Sequence, residues 1–276
     1  MSFLQKLETA IQKNNSLLCV GLDPDFDKLP NSLKSKHNPL FEFNKEIIES
    51  TQDLVCAFKP QIAGYSALGA QGLEILEQTI HYLKTNYPDI PLILDAKRAD
   101  IGSTSEKYAQ EAFDVFEADA VTVNPYLGKD ALLPFLQRRE KGVIVLCRTS
   151  NKGAADFQSL DTNGEPLYIK VARAVAEWHE EFGNCLLVVG ATWPEEMKKI
   201  REITKNMFFL VPGIGAQGGD LPATVNSGLR EDKSGLIIHS SRAILYASSG
   251  SDFATRAKEE ATKLREKINK YRHEPY

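Results

Sequence analysis

The chain has 276 residues, 42% of them hydrophobic, which is enough to bury a sizeable core in one large domain or two small ones. Its formal net charge of −4 gives no basic surface of the kind that binds nucleic acid or an anionic membrane. No apolar stretch approaches the roughly 20 residues that span a bilayer, and the amino terminus lacks the basic and apolar regions of a signal peptide. We therefore expect a cytoplasmic protein that binds neither nucleic acid nor membrane.

The chain begins with a predicted amphipathic helix, because Phe3, Leu4, Leu7 and Ile11 recur at helical spacing. Eight apolar runs follow, most of them rich in Val, Ile, Leu and Phe, and each precedes a turn signal and a helix-like stretch. They cover residues 17–23, 54–61, 91–98, 120–126, 142–150, 185–192, 207–215 and 235–242. Such near-continuous apolar character is typical of parallel strands that are buried on both faces.

Helical patterns separate these runs, most clearly at residues 72–87, 168–183 and 193–206, and a charged final helix is predicted at 253–274. Strand and helix alternating eight times predict an α/β fold, a (β/α)8 TIM barrel. A doubly wound open sheet needs the same alternation, and the count of eight favours the closed barrel. With no linker or change of composition, residues 1–276 are predicted to form a single domain. The polar segment 151–168 has the length of a lid or binding loop.

Cysteine and histidine usage indicates neither disulfides nor a metal site. The cysteines lie within or beside apolar runs and form no CxxC pair, so we expect buried, reduced thiols: Cys19, Cys56, Cys147 and Cys185. The five histidines are scattered, with none at ligand spacing. His239, in the eighth run, is interpreted as a hydrogen-bonded core residue rather than a base.

Polar residues end nearly every run, at the edge of the barrel where active groups gather in this fold. They are Asp23, Lys59, Asp95, Lys97, Asn124, Ser150, Gly213, Gly215, Gln217, Ser241 and Arg242. Exposure of strand ends to solvent is enough to explain why Ser, Thr and Asn occur there. It explains less well the lysines and aspartates in apolar strand contexts.

The third run ends in LDAKRADIGST, residues 94–104, where charges of both signs are concentrated. Because side chains alternate along a strand, Asp95 and Lys97 are predicted to share the face towards the lumen, roughly 6.6 Å apart along the strand. A lone charge there is costly and a paired one is tolerable. A structural salt-bridge network would account for two such charges. With Lys59 and Asp23 entering from nearby strands, we expect a catalytic array.

The loops after the seventh and eighth runs predict a phosphate site. The segment PGIGAQGG, residues 212–219, offers backbone N–H groups to an anion, and Arg242 supplies a planar donor fork. In this fold the same two loops commonly hold phosphate, so we expect a phosphorylated small-molecule substrate. Lys97 could form a Schiff base, donate a proton or only bind charge. Flanking Asp95 and Asp100 would keep it charged, which favours the proton donor.

The motif LDAKRADIGST closely resembles the signature of the orotidine 5′-phosphate decarboxylase family, which converts orotidine 5′-monophosphate to UMP in pyrimidine synthesis. The likeness is to the longer bacterial branch and extends over most of the barrel, through VGLDPD, FKPQIAGY, RTSN, PGIGAQGGD and SSRAI. The central motif is highly specific, whereas the glycine-rich loop is shared with other barrels. The resemblance implies a carboxy-lyase that needs no cofactor and no metal and acts as a homodimer.

The resemblance also implies a role for each matching residue. Lys97 protonates C6 of the pyrimidine, Asp95 lies beside the leaving carboxylate, and Asp100 enters from the neighbouring subunit. Lys59 belongs to the same catalytic set and, with Asp23, binds the ribose. The other implied substrate contacts are Ile101 and Thr104 near Asp100, Ser150 on the base, Gln217 and Arg242 on the phosphate, and Gly215 and Ser241.

Two other functions stay open at this point. A different phosphosugar barrel, such as a hexulose-phosphate synthase or a pentose-phosphate epimerase, normally needs a metal or another acid–base pair. A nucleotide-binding relative without catalysis would be expected to lose Lys97 or Asp100 before Arg242, and all three are present.

Overall fold

Eight parallel strands form one sheet in the computed structural model, which describes residues 1–214 and 218–273. The strands are β1 (Leu18–Gly21), β2 (Ala57–Lys59), β3 (Ile93–Arg98), β4 (Ala120–Val123), β5 (Gly142–Arg148), β6 (Cys185–Val189), β7 (Phe209–Val211) and β8 (Leu236–Ser240). Their order is β2-β1-β8-β7-β6-β5-β4-β3. Parallel bridges from Phe58 to Leu92 and from Gln61 to Asp95 bring the outer strands together. The predicted barrel is therefore confirmed, and all eight apolar runs contain a strand.

Helices surround the strands, and some of them begin at a capping residue or a proline. They are α1 (Phe3–Asn14), α2 (Asn31–Lys34), α3 (Pro39–Thr51), α4 (Ile62–Ser66), α5 (Gly69–Asn86), α6 (Gly102–Gln110), α7 (Lys129–Leu136), α8 (Ala155–Gln158), α9 (Leu167–Phe182), α10 (Pro194–Thr204), α11 (Leu221–Gly228), α12 (Arg242–Leu245) and α13 (Phe253–His273). For example, α10 starts with Pro194 and two glutamates, which suit the positive end of a helix. The helices predicted from the sequence at 72–87, 168–183, 193–206 and 253–274 correspond to α5, α9, α10 and α13.

The amino-terminal helix α1 covers the amino ends of the strands. Ser2 and Gln5 form a capping box at its start. The Phe3 ring packs over Gly142 so closely that a Cβ atom there would lie 2.4 Å from the ring, and Lys6 forms a 2.7 Å ion pair with Asp119. Helix α1 thus packs against the starts of β4 and β5, at the end of the barrel opposite the carboxyl ends of the strands.

The core is continuous and apolar, as the strand patterns predicted. Every residue of β1, β2, β4, β6 and β7 is buried. All four cysteines are buried and unpaired, in agreement with the expected reduced thiols. In the described part of the chain, none of the helices has the length and hydropathy of a membrane span.

Candidate active site

A cavity of about 700 Å³ opens at the carboxyl ends of the strands. Its walls include eight of the strand-end residues named from the sequence: Asp23, Lys59, Asp95, Lys97, Ser150, Gly213, Ser241 and Arg242. This is the size of a small-molecule site, and it lies at the end of the barrel where this fold holds its active groups.

Three charged side chains form a line across the floor of the cavity. Asp95 accepts from both lysines, with its Oδ2 3.0 Å from Lys59 Nζ and its Oδ1 2.6 Å from Lys97 Nζ. The side chain of Lys59 is only 4% exposed, whereas that of Lys97 is 46% exposed. One carboxylate thus fixes a buried ammonium group on one side and an accessible one on the other.

The two buried members of this line hold each other charged. Burial by itself would raise the pKa of Asp95, but Lys59, Lys97 and a hydrogen bond from Thr122 outweigh burial and lower that pKa below its usual range. Burial would likewise lower the pKa of Lys59, and the nearby Asp95 and Asp23 carboxylates raise it instead. The Asp95 carboxylate and the Lys59 ammonium group are therefore both charged at neutral pH.

The end of β3 departs from the regular alternation that the sequence suggested. Leu94 lies opposite Val121 and Arg98 lies opposite Val123, so the three residues from Asp95 to Lys97 face one residue of β4, Thr122. Lys97 has a φ of 48°, in the left-handed region that residues other than glycine rarely adopt. This bulge replaces the predicted spacing along a flat strand with a direct contact between Asp95 and Lys97.

A second carboxylate, Asp23, lies on the wall formed by β1 and β8. Its Oδ2 accepts a 2.9 Å hydrogen bond from Ser241 Oγ, and its Oδ1 accepts one of 2.9 Å from the Gln61 backbone N–H. Tyr246, also on the wall, donates its hydroxyl to the Asp23 backbone carbonyl at 3.2 Å. Asp23 is thus oriented with lone pairs left for a hydroxyl-bearing ligand.

The side of the cavity where the sequence predicts a phosphate site is described in part. Arg242 begins α12 after β8, is exposed, and has no carboxylate partner among residues 1–214 and 218–273. Gly213 and Ile214 also form the wall. The predicted contacts Gly215 and Gln217 lie outside the described residues.

Asp100, Ile101 and Thr104 are not brought into this cavity. Asp100 Oδ1 accepts a hydrogen bond from the Ile101 backbone N–H, 2.8 Å away, and the Ile101 side chain is 61% exposed. Thr104 is exposed in the first turn of α6. The three residues lie beyond the end of β3, outside the set that forms the cavity wall.

The segment after β5 forms a further wall and is more ordered than a plain loop. Gln158, in α8, accepts from the Thr149 backbone N–H at 2.9 Å and donates to the Thr149 hydroxyl at 2.8 Å. Below it, the buried Arg148 guanidinium stacks 3.9 Å from the Trp193 ring. A Cβ atom on Gly190 would lie 2.8 Å from Ser150, so a glycine is needed there. These contacts fix the position of Ser150.

Sequence reasoning missed several wall residues, and it misread His239. His239 lines the cavity, and its buried Nε2 has no hydrogen-bond partner within the described residues, so the interpretation as a hydrogen-bonded core residue is wrong. The reason is that this position in β8 faces the lumen beside Lys59. Burial is the main cause, and the nearby Lys59 charge the second, that holds the pKa of His239 well below its usual range. The imidazole ring is therefore neutral. Thr122, Gln158 and Tyr246 carried no motif signal in the sequence.

Comparison with known proteins gives a consistent result over most of the chain. Residues 16–257 match the model of the orotidine 5'-phosphate decarboxylase / HUMPS family. A protein of Cellvibrio japonicus named orotidine 5'-phosphate decarboxylase is 59% identical over 243 residues, which cover 87% of this chain and 88% of that protein. A protein of the same name from Dechloromonas aromatica is 55% identical over 242 residues, with coverages of 87% and 88%.

Solved structures agree with the sequence matches. The Leishmania donovani OMP decarboxylase superposes with a TM-score of 0.86 at 38% identity, covering 99% of both chains. A putative orotidine-monophosphate-decarboxylase from Toxoplasma gondii gives 0.89 at 37% identity, covering 98% of this chain and 96% of that one. Within the described residues, no three His, Cys, Asp or Glu side chains are grouped so that they could hold a metal ion.

Proposed function

The chain belongs to the orotidine 5'-phosphate decarboxylase / HUMPS family, and on that premise we propose that it converts orotidine 5′-monophosphate to UMP without a metal or cofactor. Its relatives share the name orotidine 5'-phosphate decarboxylase, so the chain is a carboxy-lyase with a role in pyrimidine biosynthesis. The observation that carries the proposal is the line Lys59–Asp95–Lys97 on the floor of an open cavity of nucleotide size. We further propose that the whole chain acts as one domain, in the cytoplasm and as a homodimer.

The proposed chemistry needs a positive charge where negative charge develops. When the bond from C6 to the carboxylate breaks, CO2 leaves and the electron pair stays on C6, which the ring delocalises poorly. The Lys97 ammonium stabilises that charge and then donates the proton that forms the new C6–H bond. Asp95, which accepts from Lys97 at 2.6 Å, would stand beside the substrate carboxylate and raise the energy of the ground state.

Binding is proposed to use the rest of the wall. Asp23 and Lys59 would hold the ribose, Ser150 the base, and Arg242 with Gln217 the phosphate. These phosphate contacts are remote from the reacting bond, so their binding energy can be used for positioning and for loop closure. Ser241, which donates to Asp23 at 2.9 Å, would orient that carboxylate, and Gly215 would add a backbone contact.

The first test is a spectroscopic assay in the presence of EDTA. Orotidine 5′-monophosphate incubated with the protein should lose its ultraviolet absorbance as UMP forms, at the same rate with and without the chelator. Conversion to UMP that EDTA abolishes would contradict the metal-free chemistry, and absence of both conversion and binding would contradict the proposed substrate. Tight binding without turnover would point to a relative that has lost catalysis.

The second test isolates the proton donor. Lys97→Ala should lose turnover yet fold and bind UMP, because the Lys97 side chain is 46% exposed and is not needed in the core. A matched control is Lys198→Ala, which removes an exposed lysine on α10, away from the cavity. Activity of Lys97→Ala within about tenfold of wild type, a loss of only ~1.4 kcal/mol, would contradict an essential acid.

The third test concerns the shared site, in which Asp100, Ile101 and Thr104 would enter the cavity of a second subunit. Lys97→Ala and Asp100→Asn should each be inactive alone. In a mixed dimer, one site has both groups intact and the other lacks both, so equal random mixing should restore roughly a quarter of wild-type activity, given two-fold symmetry. If Asp100 served its own barrel, mixing would restore nothing, even with subunit exchange shown independently.

A further inference from the structure

Thr122, in the middle of β4, makes three hydrogen bonds to the end of β3. Its buried hydroxyl oxygen accepts from the Ala96 backbone N–H at 3.0 Å and from the Lys97 backbone N–H at 2.9 Å. The same hydroxyl donates to Asp95 Oδ1 at 2.7 Å. One side chain therefore contacts all three residues of the bulge.

The bulge needs such a partner because it loses its ladder hydrogen bonds. Three residues of β3, Asp95 to Lys97, face one residue of β4, so their backbone N–H groups cannot all pair with carbonyls of that strand. A buried N–H group without a partner is costly, and Lys97 is in addition held at a φ of 48°. The Thr122 hydroxyl satisfies two of these N–H groups and stabilises a conformation that the backbone would not adopt alone.

The hydroxyl also has only one possible orientation. A threonine hydroxyl has two lone pairs and one proton, and the two N–H donors occupy the lone pairs. The proton must then be directed to Asp95 Oδ1, which also accepts from Lys97 Nζ at 2.6 Å, while Asp95 Oδ2 accepts from Lys59 at 3.0 Å. Both carboxylate oxygens are thereby fixed.

We propose that Thr122 is a positioning residue, whose hydroxyl holds the Lys97 backbone and the Asp95 carboxylate so that the Lys97 ammonium stays aligned with the reacting carbon. The inference rests on the proposed decarboxylation for its kinetic consequence. Its structural content, that this hydroxyl maintains the bulge, is independent of which reaction the site performs.

The test compares two substitutions of similar size. Thr122→Val keeps the shape and removes all three hydrogen bonds, whereas Thr122→Ser keeps the hydroxyl and removes the methyl group. Displacing a catalytic group by about 1 Å can cost about 100-fold in rate, so we expect kcat of the valine variant to fall by about that factor. KM and UMP affinity should stay within about threefold, because the walls that bind ribose and phosphate are intact. The serine variant should recover most of kcat.

Thr204→Val is the control, since Thr204 is buried and its hydroxyl donates within α10 to the Ile200 carbonyl, far from the cavity. It should retain wild-type kcat. If Thr122→Val is as active as wild type, or if serine is as damaging as valine, the hydroxyl does not position the site. If the valine variant fails to fold, Thr122→Cys, with a weaker donor of similar size, should still lower kcat without changing KM, and a wild-type kcat would overturn the proposal.

Amide hydrogen exchange separates failure of this inference from failure of the proposed function. Exchange at Ala96 and Lys97 should be faster in the valine variant than in wild type and in the serine variant, whatever reaction the wild type catalyses. Unchanged exchange would overturn the positioning role. A wild type without decarboxylase activity, but with this exchange pattern, would refute only the proposed function.

Discussion

Removal of the Asp95 carboxylate should destabilise the protein far more than removal of its exposed partner, the Lys97 ammonium group. Asp95→Ala leaves the Lys59 ammonium, whose side chain is 4% exposed, without the carboxylate that now lies 3.0 Å away. Breaking a buried pair by deleting one member costs about 3–5 kcal/mol, because the remaining charge stays buried and uncompensated. Lys97 is 46% exposed, so its pair with Asp95 is screened, and Lys97→Ala should cost about 0–1 kcal/mol.

Urea denaturation followed by tryptophan fluorescence and circular dichroism measures this difference. With an m-value of about 3 kcal/mol per molar urea, the midpoint of Asp95→Ala should fall by roughly 1–1.7 M. Asp53→Ala is the control, because Asp53 pairs with Lys258 at 3.3 Å with both side chains about half exposed, and its midpoint should hardly move. The comparison is valid only if fluorescence and circular dichroism report the same unfolding transition, as two-state unfolding requires.

The pH dependence gives an independent check of the cause. Without Asp95, burial should outweigh the remaining attraction of Asp23 and lower the pKa of Lys59 below its unfolded value of about 10.4, so the unfolded state binds the proton more readily. The free energy of unfolding of Asp95→Ala should then rise with pH between 7 and 10, and the gap to wild type should narrow. A variant within about 1 kcal/mol of wild type, or a gap that does not change with pH, would refute the reasoning.

Three further outcomes are expected. Arg242→Ala should raise KM for orotidine 5′-monophosphate by an amount equivalent to about 1.5–3 kcal/mol, measured by steady-state kinetics; equal loss with orotidine lacking the phosphate would contradict the assignment. Because burial lowers the pKa of His239, the free energy of unfolding should fall by up to about 1.4 kcal/mol per pH unit below about 6.5, and His239→Asn should flatten that slope in urea titrations at several pH values. Gly190→Ala should lower kcat/KM, because the added Cβ atom would lie 2.8 Å from Ser150 and displace it. Unchanged kinetics would show that the segment after β5 can move to accommodate the methyl group without loss of function.

The fold was predictable from the sequence because burial on both faces leaves a simple pattern. Each strand, from Leu18–Gly21 to Leu236–Ser240, lies inside an apolar run, and the charged ends of those runs fall at the open mouth of the barrel. Asp95, Lys97 and Lys59 meet because parallel strands bring their carboxyl ends to one edge. This part of the site follows from strand direction alone.

Other parts depend on geometry that periodicity does not encode. The bulge contains no glycine, so nothing in LDAKR signals that Lys97 adopts a φ of 48° or that Thr122 compensates for the lost ladder. Thr122 itself reads as one more β-branched residue in an apolar strand. His239 was misread for a similar reason, since a lumen-facing position and a core-facing position look alike in a run that is buried on both faces.

The contacts of α1 with the amino ends of the strands constrain the order in which the barrel can fold. Phe3 packs on Gly142, and Lys6 pairs with Asp119, 113 residues further along the chain. The first strand, β1, pairs with the last, β8, and Asn269 near the carboxyl terminus donates to the Asn15 carbonyl at the end of α1. Helix α1 therefore packs only after partners much later in the chain have been made, and such long-range closure is slow.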